Sequence, residues 1–175
     1  MFTTLLLPNF YLQAALRQRP ELHERPVALI DGEEAKAKIM QLNAAAEQTG
    51  IVAGLTPTQG LARCLQLEVM VRDRAQEQAL AEIALDLAFT LSPDVEATAP
   101  GVYTVQFSET RRLEENVRRV VAQFAGQRLM ARAGIAHNGN VSLLAAHLAK
   151  PVLRVGDTRT FLAALPIETL ALAVL

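Results

Sequence analysis

The chain has one cysteine, no tryptophan, and only two tyrosines and six phenylalanines among its 175 residues. A single cysteine excludes an internal disulfide framework. Cys64 lies in an apolar helical pattern with no His or acidic neighbour, so it reads as a packed thiol and not as a nucleophile. His23, His137 and His147 share no metal-ligand spacing with Cys64 or with one another. No apolar run approaches the roughly 18 residues of a membrane helix, and the apolar start at residues 5–7 lacks the basic flank of a signal peptide. A cytoplasmic protein without a membrane partner is expected. There is no basic excess either: 17 Lys and Arg face 18 Asp and Glu, a net charge of −1. That is not the balance of a strongly basic nucleic-acid binder, although a local basic face is compatible with it.

What is present is an ordinary globular composition, 51% hydrophobic and 20% charged, with no low-complexity tract and no internal repeat. The length suits one domain with a full core, or one domain and a small lobe. Residues 3–7, TTLLL, read as a buried central strand ended by Pro8, which has no N–H to donate. Asn9 is placed to cap a helix from Phe10, which Pro20 stops, and Pro26 opens a strand at 27–30. After a polar turn at 31–34 come a strand at 38–42, an Asn43-capped helix closed by Gly50, a second short helix at 58–64 and a strand at 67–71. A long amphipathic helix is predicted over 73–91. Beyond it lies a hairpin of 95–99 and 102–107 around Pro100-Gly101, where glycine supplies a positive φ. The remainder reads as a helix at 110–124, a strand at 129–136, a helix at 139–149 and a short helix at 158–165.

Several stretches of this frame resemble one family. They are the strand, Phe10-Tyr11 and the helix, followed by Arg25-Pro26-Val27-Ala28. Next come Asn43 with Thr49-Gly50-Ile51-Val52-Ala53-Gly54-Leu55, then Gly134-Ile135-Ala136 with Leu148-Ala149-Lys150-Pro151. In order and spacing they resemble the palm and fingers of Y-family (translesion) DNA polymerases. The resemblance implies an α+β, ferredoxin-like palm: a mostly antiparallel sheet with helices on one face and a small inserted helical fingers lobe. Palm-like residues would be 1–31 and 67–175, and the fingers-like lobe 32–66. The Leu165-Pro166 segment resembles the approach to a thumb, so the chain is expected to be part of a longer protein.

Nucleotidyl transfer needs two divalent metals about 4 Å apart, held by carboxylates from separate strands. The family's first-strand Asp falls on Leu6, a further acidic position on Pro8, and its adjacent Asp-Glu pair on Gly101 and Val102. None of these supplies the hard oxygen that Mg²⁺ requires, so the metal site is expected to be lost and no cofactor is expected. The family's Tyr and Arg contacts to the triphosphate fall on Ala44 and Glu47, the second a reversal of charge. Tyr11 matches the aromatic position that meets the sugar, and Lys150 the phosphate-binding lysine. Each also has a plain structural reading, as a core aromatic and as a cation at a helix C-terminus.

The pattern resembles the catalytically inactive, ImuB-like branch of the family. That resemblance implies a scaffold in bacterial induced mutagenesis. It would link an error-prone replicative-type DNA polymerase, a RecA-like accessory protein and the β sliding clamp through regions beyond this chain, with DNA binding possible in the full-length protein. Two rival readings stay open. One is an active nucleotidyltransferase using relocated carboxylates from Asp31, Glu33 or Glu96. The other is an α+β binding or dimerisation domain unrelated to DNA. Residues 66–70, QLEVM, faintly resemble a clamp-binding pentapeptide but read as a core strand. Arg111, Arg112, Arg118, Arg119, Arg128 and Arg132 alternate with Glu109, Glu114 and Glu115 and read as a solvated, salt-bridged face.

Overall fold

A computed structural model describes residues 1–32, 37–108 and 111–169. In chain order these form β1 (Phe2–Leu6), α1 (Phe10–Leu16), a 3-10 turn (Pro20–Leu22), β2 (Val27–Ile30), β3 (Ile39–Leu42), α2 (Ala44–Gln48), α3 (Pro57–Arg63) and β4 (Glu68–Val71). Then follow α4 (Arg74–Phe89), β5 (Val95–Ala99), β6 (Val102–Gln106), α5 (Leu113–Gly126), β7 (Arg132–Ala136), α6 (Gly139–Leu148), β8 (Val152–Arg154) and α7 (Thr158–Ala163). The chain divides into two compact units, residues 1–8 with 81–175, and residues 9–80.

The first unit is built on a five-stranded sheet in the order β5-β6-β1-β7-β8. β1 is central, buried from Thr3 to Leu6, and pairs antiparallel with both neighbours. Only β7 and β8 are parallel, joined across α6. Thr4 and Leu6 share the face toward α6, where the Thr4 hydroxyl meets that of Ser142 at 2.7 Å. α6 lies on β7 at backbone contact: a Cβ on Gly134 would fall 2.0 Å from the Ser142 carbonyl oxygen, so only glycine fits. Asn138 starts α6 by accepting from the N–H groups of Asn140 and Val141. α5 buries Leu113, Val117, Val120, Val121 and Phe124, the stripe that its period predicts.

The second unit centres on β2, with strand order β3-β2-β4. Val27 and Leu29 pack with Leu12, Ala15 and Leu16 of α1, while Ala28 and Ile30 pack with Ile39, Leu42, Ala46 and Ile51. A strand buried on both faces explains why VALI carries no polar residue. Asn43 ties this unit together. Its Oδ1 accepts from the Ala46 and Val27 N–H groups, and its Nδ2 donates to the Arg25 carbonyl.

The α+β class with antiparallel-dominated sheets agrees with the sequence expectation, and three local details differ. Asn9 occupies the N-cap position of α1 at φ 50°, yet its side chain caps nothing and instead donates to the Leu42 carbonyl at 3.1 Å. The strand expected from 129 begins at Arg132, and the helix expected from 110 begins at Leu113, after Arg112 at φ 55°. β8 has no counterpart in the sequence reading, since three residues carry no usable period and pairing with β7 defines the strand.

Candidate functional site

Within the five-stranded unit, Leu6 ends β1 directly opposite Val102, the first residue of β6. They are 7% and 4% exposed and pack with Leu143 and Ala146 of α6, with Ala99 against them. Gly101 precedes Val102 in the hairpin turn at φ +78°, the left-handed region that favours glycine. Its carbonyl accepts the Leu7 N–H at 2.8 Å. On the other side of β1, Leu6 is paired with Arg132, whose Nη1 donates to the His147 carbonyl at 3.1 Å near the end of α6. The row across the sheet is therefore Val102, Leu6, Arg132: two hydrocarbons and a cation. Next to Val102, burial pushes the Tyr103 phenol up to about 12.

These residues do not fit Mg²⁺. A hard divalent ion takes oxygen ligands, and here it would meet two aliphatic side chains and a residue without a Cβ. Among the described residues, no group of three or more His, Cys, Asp or Glu could hold a metal ion. Of the carboxylates that relocation would call on, Glu96 is exposed on β5 opposite Thr104. Asp31 is exposed in the other unit, where it pairs with Arg72 and Arg74 at 3.2 and 3.6 Å. Glu33 lies outside the described residues.

Lys150 is exposed just past α6, before a cis peptide bond to Pro151, with no side-chain hydrogen bond or ion pair to another described residue. Burial, helped by the Arg132 charge, holds the nearby His147 imidazole below its ordinary range. His137 is exposed beyond the end of β7. On α5, Arg118 pairs with Glu114 at 2.8 Å and Arg119 with Glu115 at 3.7 Å, as the alternating charges imply; Glu109 is outside the described residues.

The remaining positions belong to the unit at 9–80. Ala44 and Glu47 are exposed on α2. Residues 68–70 of the QLEVM stretch lie in β4, paired to β2. Tyr11 is half-buried on α1, its ring meeting Phe10 in a T-shaped contact at 5.6 Å. Over the Tyr11 ring lies the Arg72 guanidinium, 3.8 Å from the centroid. Arg72 Nε and Nη2 donate to the two Glu77 oxygens, each at 2.7 Å, and Nη1 donates to Asp31 at 3.2 Å. The Glu77 hydrogen bonds raise the guanidinium pKa further above its ordinary value. The Arg72 and Glu77 side chains are 8% and 11% exposed. Sequence reasoning missed this network. Its one local signal is an arginine at a strand end followed by a glutamate in the first turn of the next helix, and only the fold brings Tyr11 beneath them.

The family model for impB/mucB/samB proteins matches residues 5–147. Among solved structures, the chain is similar to a post-insertion binary complex of Dbh DNA polymerase (TM-score 0.84, 15% identity, covering 96% of this chain and 52% of that one). It is also similar to DinB from Sulfolobus solfataricus (TM-score 0.82, 15% identity, 96% and 52%). A third similar structure is a Y-family DNA polymerase chimera containing Dbh segments (TM-score 0.82, 16% identity, 96% and 53%). The chain thus spans about half the length of the structures it matches. Comparison with curated protein sequences found no match.

Proposed function

The chain belongs to the impB/mucB/samB family, and from that premise we propose that it is a non-catalytic, Y-family polymerase-like domain serving DNA damage tolerance as an assembly platform. The observation that carries this reading is the packing of Leu6 and Val102 against Leu143 and Ala146, with Gly101 at positive φ beside them. Two-metal phosphoryl transfer is electrostatic stabilisation by ions held between carboxylates. A packed hydrocarbon cluster offers an ion nothing to replace its hydration shell. Glu47 is exposed, and the resemblance matches it to the family's triphosphate-binding arginine, so in this reading it adds charge repulsion to that loss.

In this reading synthesis is left to a partner. The full-length protein would bring an error-prone replicative-type polymerase and a RecA-like accessory protein to the β sliding clamp, while this chain contributes a polymerase-like domain. No Mg²⁺ cofactor is required. Calorimetric titration with dNTP and Mg²⁺, together with a primer-extension assay, tests it. The chain is expected to give no saturable Mg²⁺-dependent heat and no extension. Either signal from the unaltered chain would overturn the reading and put the nucleotidyltransferase hypothesis first. A Leu6→Asp, Gly101→Asp variant serves as the comparison: a signal gained there and absent from the unaltered chain assigns the loss to these positions.

A further inference from the structure

Tyr11, which the resemblance matches to the family's sugar-meeting aromatic position, has its ring already covered by the chain's own groups. Arg72 lies over it at 3.8 Å, Phe10 meets it at 5.6 Å, and it packs against the cluster of Leu12, Ala15 and Leu16. The guanidinium is not a loose surface cation that a ligand could brush aside. Both Glu77 oxygens and Asp31 hold it, and its side chain is 8% exposed. To clear the ring it would have to leave a bidentate, largely desolvated pair, which is a strong and geometrically specific contact.

Deepening the non-catalytic reading and resting on it, we propose that Arg72 is an internal ligand of Tyr11 that shuts this aromatic face against the rings of a nucleotide, its sugar first. The chain is then closed to nucleotides at two separate places by two separate means. Hydrocarbon stands where metal ions would bind, and a pinned guanidinium stands where a ring would stack. Shortening residue 72 should therefore uncover a stacking surface, because an exposed tyrosine face attracts sugar and base rings regardless of sequence.

The test uses the full chain with two substitutions at Arg72, each in a Glu77→Gln background so that neither leaves a carboxylate unpaired. Arg72→Ala removes the cover, whereas Arg72→Met keeps a chain of similar length over the ring and removes only the charge. Circular dichroism checks that both fold. Because the chain has no tryptophan and two tyrosines, Tyr103→Phe leaves Tyr11 as the sole fluorophore. Acrylamide quenching of Tyr11 should rise in the alanine variant and stay near that of the unaltered chain in the methionine variant. Deoxycytidine triphosphate, titrated in EDTA and followed by ligand-observed NMR, should bind the alanine variant at least about tenfold tighter than the other two.

Equal quenching and equal affinity in the alanine and methionine variants would overturn the proposal, as would metal-free binding by the unaltered chain as tight as that of the alanine variant. Primer extension by the unaltered chain would defeat the non-catalytic reading yet leave the quenching comparison intact, so the two failures are distinguishable.

Discussion

At Leu6 the chain buries hydrocarbon; at Tyr11 it buries an ion pair. The first fill joins residues of β1, β6 and α6 by contacts that have no required direction, so methyl and methylene groups need only match in volume. The second joins β4, α1, the end of β2 and the first turn of α4 through hydrogen bonds of fixed geometry, and every member depends on the others. A hydrocarbon cluster loses stability in proportion to what is removed. A buried ion pair fails abruptly when one partner goes, because the survivor is left charged and desolvated.

That contrast can be broken first at Glu77. Glu77→Ala leaves the Arg72 guanidinium largely buried beside Tyr11, with only the exposed Asp31 to offset it, and should cost about 3 kcal/mol in denaturant unfolding. Replacing both partners, Arg72→Met with Glu77→Leu, should bring stability back to within about 1 kcal/mol of the unaltered chain. If the double variant is as unstable as the sum of the two single changes, the pair is not acting as a unit. The hydrocarbon side should respond less: Leu6→Ala is expected to cost about 2–3 kcal/mol as lost transfer energy plus a cavity beneath Leu143. A cost below about 1 kcal/mol would mean that α6 settles into the gap and that the cluster is looser than its burial implies.

The two fills also differ in how far they can be read from the chain. β1, the Gly101 turn and the Asn43 cap were legible because each depends on a few neighbouring residues: an apolar run ended by proline, a Pro-Gly pair, an Asn before an alanine-rich helix. The family resemblance singles out Leu6 and Val102, and their mutual packing follows once β1 and β6 pair in register. Only a weak local signal, an arginine at a strand end with a glutamate in the first turn of the next helix, precedes the Arg72 network. Arg72, Asp73 and Arg74 read as an ordinary polar boundary, and Tyr11 lies about sixty residues upstream (72 − 11 = 61). Asn9 misled for a related reason, since a residue suited to capping found a better acceptor in the Leu42 carbonyl of another strand. β8 was invisible because its identity as a strand lies wholly in its partner, β7.

The smallest expected effect sharpens the comparison from a different side, through a titrating group close to the hydrocarbon cluster. His147 follows Ala146 on α6, half-buried, with Arg132 bonded to its carbonyl. Burial first, and the Arg132 charge second, hold its imidazole below the ordinary value of 6.5. The unfolded chain therefore takes up this proton at a higher pH than the folded one. Stability tied to His147 is full above pH 6.5, falls as pH drops through that value, and levels off once pH is below the folded pKa. Chemical denaturation at about pH 8 and about pH 5.5 should show lower stability at the acid end, and His147→Gln should flatten part of that slope while leaving the alkaline value nearly unchanged. Because Arg132 contributes the second of the two causes, Arg132→Gln should flatten the slope by a smaller amount than His147→Gln. A slope that ignores both substitutions would show that the end of α6 is open enough for water to screen the imidazole, and that the dry surroundings of Leu6 and Val102 do not extend along the helix to His147.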